Sequence, residues 1–179
     1  MKRLMGLLAL SIAAPAAVSI AAPAAALPGP PAAQDGACTA GAGSSIHVNV
    51  VGLKDRSGRL KLELYPANET DFLKDDRDLL KEGKVFRRVW SQTPQSGAVN
   101  LCIRAPGPGR WAVLLTRDRD GKNKFNFWQD GAGFISAEHL GRSRPSVNQA
   151  VITVGPNGAS VTIRLQYLRG LGGFSPLNS

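Results

Sequence analysis

The residues best equipped for chemistry fall in one stretch, Asp118-Arg119-Asp120-Gly121-Lys122-Asn123-Lys124-Phe125-Asn126-Phe127-Trp128. Side-chain oxygens on Asp118, Asp120, Asn123 and Asn126 are of the type that Ca2+ takes, about six to eight at a time and several of them carboxylates. Gly121 stands earlier than the glycine of an EF-hand loop, and Arg117, Arg119, Lys122 and Lys124 surround the metal candidates Asp118, Asp120 and Asn123 with positive charge. The competing reading is an Asx-turn at a strand end. No cofactor is therefore expected, with Ca2+ kept as the alternative.

The same stretch mixes rings and cations. Phe127 and Trp128, close to Lys122 and Lys124, form a set suited to stacking on sugar rings or other flat faces while the lysines meet negative charge. These four residues are the candidate ligand-binding set. The alternative is that the rings fold back and cap the core, the usual fate of large aromatics.

Nucleophilic catalysis finds no constellation. His47 and His139 have no nucleophile elbow, free reactive thiol or oxyanion-hole motif near them, and they are not spaced as a zinc pair. Both read as surface histidines. An acid or base at Asp118 or Asp120 would need desolvation to raise its pKa, whereas the neighbouring Arg and Lys would lower it. The chain is read as not an enzyme, an enzyme acting at this loop being the competing class. Asp71, Asp75, Asp76 and Asp78, interleaved with Lys74, Arg77 and Lys81, read as a solvated, self-paired helix surface.

The elements that must hold this loop are strands. Ile46, Val48 and Val50 alternate with polar residues, and Lys54 to Gly58 supplies turn residues. Leu60, Leu62 and Leu64 alternate next, so a first hairpin is expected. Residues 68 to 82 suit a short helix or ordered loop, closed by Gly83. Further strands are predicted over 85–90, 97–104, 110–117, 147–154 and 160–168, the last two joined by Gly155-Pro156-Asn157-Gly158. About seven short strands with at most one helix argue for an all-β, antiparallel β-sandwich, immunoglobulin-like or transthyretin-like, over a small barrel. The domain is placed at 45–168, with a flexible tail over 169–179.

The N-terminus has Lys2 and Arg3 followed by an apolar run, the pattern of a secretory signal peptide over 1–26, cut after Ala24-Ala25-Ala26. Pro15, Pro23 and the weakly hydrophobic alanines make a poor membrane span, and none is expected after cleavage. Residues 27–44 are rich in Pro, Ala and Gly and read as a linker. Cleavage removes Lys2 and Arg3 and takes the formal net charge from +9 to +7. A basic exported protein points to an envelope polysaccharide, an anionic lipid headgroup or an envelope protein as partner, and away from nucleic acid. The expected address is periplasmic or secreted. Two cysteines in an exported chain read as a disulfide, Cys38 to Cys102. Because Cys102 lies between Leu101 and Ile103, alternation points it away from the face those residues bury.

Five landmarks then occur in a particular order: Val50-Val51-Gly52-Leu53, Gly58 to Tyr65, Pro106-Gly107-Pro108-Gly109-Arg110-Trp111-Ala112-Val113, Asp118-Arg119-Asp120-Gly121 and Gly133-Phe134. Together they resemble domain-of-unknown-function family 2141 over roughly residues 46 to 168. The resemblance implies an exported bacterial β-sandwich and no agreed reaction. Against that family's loop pattern, Lys122 replaces an oxygen ligand, Asn126 replaces an acid, and Arg117 stands where a histidine is often found. The function class that fits best is a non-enzymatic envelope protein binding an anionic or glycan ligand or an envelope partner through the loop at 118–134. A purely structural or assembly module is the other alternative.

Overall fold

Alternation of apolar and polar residues becomes strand in the computed structural model, which describes Cys38, residues 43–136 and residues 138–177. The expected signal peptide and most of the linker lie outside the described residues. The strands are β1 (Ser45–Val51), β2 (Arg59–Pro66), β3 (Arg87–Gln92), β4 (Val99–Arg104) and β5 (Gly109–Asp118), then β6 (Gly131–Gly133), β7 (Val151–Val154), β8 (Ala159–Arg164), β9 (Tyr167–Leu168) and β10 (Phe174–Ser175). One short helix, α1 (Asp76–Lys81), starts at Asp75, whose carboxylate accepts from the Arg77 N–H, and gives way to Gly83 at φ +69°.

The chain forms an all-β sandwich. One sheet has the order β4-β1-β8. The larger sheet runs β3-β2-β5-β6, with β7 pairing β5 on the same edge as β6 but at the opposite end: β7 meets Gly109 to Ala112, and β6 meets Leu115 to Arg117; β9 and β10 form a separate two-stranded sheet. Pairing is antiparallel except for β1 and β8, which run parallel.

The expected first hairpin is not one. β1 and β2 belong to different sheets, so residues 52–58 carry the chain across the sandwich. The turn between β7 and β8 does the same. Hairpins and sheet-to-sheet crossings draw on the same Gly, Pro and Asn turn chemistry, so local sequence does not distinguish them. The run expected as a strand over 147–154 opens instead as a 3-10 turn, Val147–Gln149, and becomes strand only at Val151. The tail expected to be flexible is ordered through Leu177: Phe174 is buried and β10 folds back on β9.

The main core lies between the sheets. Ile46, Val48 and Val50 from β1 meet Leu60, Leu62 and Leu64 from β2, and Leu101, Ile103, Val113, Leu115 and Ile163 are among the residues packed with them. Each such side chain fully buried contributes about 1.5–3 kcal/mol of transfer free energy. A second cluster covers the outer face of the larger sheet, where Tyr65, Ala112 and Leu114 meet Phe72, Leu79, Phe134 and Val147. β5 is thus buried on both faces, which accounts for its uninterrupted Trp-Ala-Val-Leu-Leu run. Cys102 points outward as alternation requires, and there it is bonded to Cys38.

Candidate functional site

The 118–134 loop leaves the end of β5 and returns as β6, so a strand buried on both faces fixes one end of it. Its conformation is set by three carboxylate or amide side chains accepting from nearby backbone N–H groups. Asp118 Oδ2 accepts from the Asn123 N–H at 3.0 Å and pairs with Arg59 at 2.9 Å. Asp130, almost fully buried, accepts from the Arg119 N–H at 2.9 Å through Oδ1 and from the Asn126 N–H at 2.8 Å through Oδ2. Asn126 Oδ1 in turn accepts from the Trp128 N–H at 3.0 Å. These are the Asx-type closures that the aspartates allow. Sequence reading missed Asp130, whose only signal was a polar residue immediately before a Gly-Ala-Gly strand.

Beneath the loop, Arg117 is fully buried. Its guanidinium donates to Asp55 and the Ser57 carbonyl on the β1–β2 connection, and to the Tyr167 hydroxyl at 3.2 Å. Arg119 joins Asp55 from the other side at 2.6 Å. Burial opposes ionisation of Asp55, yet hydrogen bonds from Ser57 and Arg117 outweigh it and hold the carboxyl well below the usual carboxylate range.

The four residues expected to bind ligand are brought together. Lys122, Lys124, Phe127 and Trp128 line one shallow groove of about 340 Å³ with Asp120, Phe125 and Asn126. Trp128 is 84% exposed and Phe127 63%. Phe125 is half-buried and packs edge-on to Phe127 at 5.1 Å and against Phe174 at 5.9 Å, and Phe127 meets the same Phe174 ring at 6.1 Å.

Two of the three metal candidates, Asp118 and Asp120, have neighbouring carboxyl groups. Asp118 is turned inward to Arg59, Asn123 contributes its backbone N–H to Asp118, and Asp120 accepts from the Lys122 N–H at 3.1 Å with the Lys122 ammonium at 3.4 Å. Among the described residues no three His, Cys, Asp or Glu side chains cluster as metal ligands. The Lys122 N–H in particular holds the Asp120 carboxyl below its ordinary value.

Two other expectations need correction. His139 is exposed, but His47 is only half-exposed, its Nε2 lying 3.1 Å from Ser45 Oγ and 3.8 Å from Cys102 Sγ beside the disulfide. The solvated, self-paired reading of the acidic cluster holds for Asp75, exposed and paired with Arg77, but not for Asp71, which is buried and paired with Lys84, nor for Asp76, which pairs with Arg88 at 2.7 Å. The partners Lys84 and Arg88 lie beyond the helix window, which is why spacing within the helix did not reveal them.

A family model described as "Uncharacterized protein conserved in bacteria (DUF2141)" matches residues 48–162. That span runs from within β1 to within β8 and includes the whole loop. No curated protein and no solved structure matches the chain.

Proposed function

The chain belongs to DUF2141, a family of uncharacterized bacterial proteins, and from that premise we propose that it is an exported, non-enzymatic binding module whose loop at 118–134 holds an anionic glycan of the cell envelope. The observation that carries this reading is Trp128, a ring 84% exposed in the same groove as Lys122 and Lys124. A large exposed indole has a cost in water that a sugar face would relieve, and the flanking ammonium groups set the preferred charge of the ligand. Asp120 is held ionised beside Lys122, which suits a polar rim and is the reverse of what a general acid needs near neutral pH. Export is supported by the Lys2-Arg3 start and the apolar run after it. Among the described residues no helix is long and apolar enough to cross a membrane.

The test is a tryptophan-fluorescence titration with polygalacturonate as the anionic glycan and dextran as its neutral counterpart. Polygalacturonate should bind with an affinity that falls as salt is added. Trp128→Ala and the Lys122→Ala/Lys124→Ala pair should each weaken it by about tenfold, or about 1.4 kcal/mol. Equal binding of dextran, or binding untouched by Trp128→Ala, would remove the loop from the reading. Retention of an anionic lipid or a protein without glycan binding would assign the groove to that partner instead.

A further inference from the structure

Behind the groove lies a second concavity that no motif had marked. It sits on the outer face of the larger sheet, over Leu114 and Ala132, and measures about 350 Å³. Leu73, Phe125, Phe127, Leu140 and Phe174 contribute its apolar walls. Phe125 and Phe127 also line the glycan groove, so this pair is a partition between the two concavities.

Three observations define an occupant. The size and lining are those of a small-molecule site, mostly apolar with a few polar groups, rather than those of a broad protein-docking surface. A cleft of about 350 Å³ falls within the roughly 300–1,000 Å³ of small-ligand sites and has room for an alkyl chain. The charge around it has one sign: Lys61 and Arg142 line it and no carboxylate does. Lys61 is already paired with Glu63 at 3.4 Å, whereas Arg142 is exposed with no hydrogen bond or ion pair among the described residues. Finally, Leu73 is held at φ +60°, a left-handed conformation unfavourable for a leucine, where it lines the cleft.

We propose that this cleft binds the acyl chain of a single-chain anionic amphiphile, with Arg142 at its mouth receiving the carboxylate or phosphate head. Phe127, largely exposed at the partition, is covered when the chain enters. A guanidinium binds either oxyanion through paired N–H donors, so a free fatty acid and a monoacyl phospholipid share the required chemistry. The inference rests on the cleft's own lining and shares with the glycan groove only the Phe125–Phe127 partition.

The experiment is isothermal titration calorimetry of the full chain with dodecanoate, dodecyl phosphate, dodecyl maltoside and dodecyltrimethylammonium, each below its micellar concentration. The two anions should bind saturably at one per chain, and the cationic amphiphile at least about tenfold more weakly, the worth of one charge-assisted contact. Shortening the chain to hexanoate should abolish binding. Ala132→Phe, which fills the cleft, should remove dodecanoate binding and spare polygalacturonate; Arg142→Glu, an exposed change that cannot disturb the core, should weaken dodecanoate by about tenfold or more. Trp128→Ala should leave dodecanoate binding intact. Absence of saturable binding, equal binding of all four heads, or full binding by both Ala132→Phe and Arg142→Glu would overturn the proposal. A preference for dodecyl phosphate over dodecanoate would place the ligand among monoacyl phospholipids, and the reverse among free fatty acids, each in support.

Discussion

Arg117 and Asp55, separated by 62 positions, meet beneath the candidate loop, and the guanidinium of this pair is completely buried. The contact joins the sheet-crossing connection after β1 to the end of β5, and Tyr167 of β9 closes it from a third side. The loop's root at the end of β5 is therefore tied to the sheet-crossing connection and to β9 before its own hydrogen bonds are counted.

Removing that anchor should be costly. Arg117→Ala leaves the Ser57 carbonyl, the Tyr167 hydroxyl and Asp55 without their shared donor, and breaking a buried pair from one side typically costs about 3–5 kcal/mol. Asp55 is partly exposed and keeps Arg119, so the lower end is expected. Arg117→Lys should recover little, because a point charge cannot reproduce the planar set of donors. Urea unfolding at neutral pH measures both.

The same pair sets an acid limit. The folded-state pKa of Asp55 is held below its ordinary value of 3.8, so the unfolded chain takes up the proton first as pH falls. The stabilisation is complete above about pH 5 and is lost as pH drops below about 4 toward the folded-state pKa. Asp55→Asn should flatten this part of the stability profile. On the alkaline side the sign is reversed: burial above all pushes the Tyr65 phenol up from 10.0, so stability should fall as pH rises past 10, and Tyr65→Phe should remove that loss. Urea midpoints collected from pH 3 to 11 test both limbs.

The strands were legible because β1, β2 and β4 each bury a period-two set of apolar residues and β5 carries a continuous apolar run. Their partners were not. Which sheet a strand joins depends on the core that Ile46 and Leu62 share from opposite sheets, and the turn between β1 and β2 carries no mark of it. β6 was hidden by being three residues long and two-thirds glycine, and β10 by following a glycine-rich run. At the loop, residue types gave the groove, since Lys122, Lys124, Phe127 and Trp128 are neighbours in sequence. The apolar cleft was invisible because Leu73, Ala132, Leu140 and Phe174 meet only through the fold.

Exposure and burial of aromatics give opposed outcomes. Trp128→Ala removes a ring that is 84% exposed, so its effect on unfolding should stay within about 0.5 kcal/mol. Phe134→Ala empties a site in the second cluster beside Phe72 and should cost about 3–5 kcal/mol. A glycan-binding defect in the first variant at unchanged stability separates function from folding.

The disulfide closes a span of 64 residues that contains β1 to β3 and ends within β4. Chain entropy assigns such a loop about 4 kcal/mol of stabilisation, as an upper value. Because Cys102 faces away from the core, the Cys38→Ser/Cys102→Ser pair should fold with both sheets intact and lose up to that amount. Circular dichroism for the sheets and urea midpoints for the stability, each with and without reductant, check the two parts.

Gly58 offers a sharper probe of how the loop is held. It lies at φ +74°, and a Cβ there would stand 2.4 Å from the Asp118 carbonyl oxygen and 2.6 Å from Arg119 Cα. Gly58→Ala therefore adds a collision with backbone at the start of the loop to the roughly 1–2 kcal/mol that left-handed geometry costs an alanine. Gly83 is the control: its φ is +69°, but nothing lies within 4 Å of an added Cβ. Gly83→Ala should lose only the conformational part and leave the groove unchanged. Gly58→Ala should lose more, and because Asp118 must shift, it should also weaken polygalacturonate binding although no ligand touches residue 58. Equal stability losses in the two variants, with binding intact in both, would mean that the β1–β2 connection and the loop yield to each other without strain.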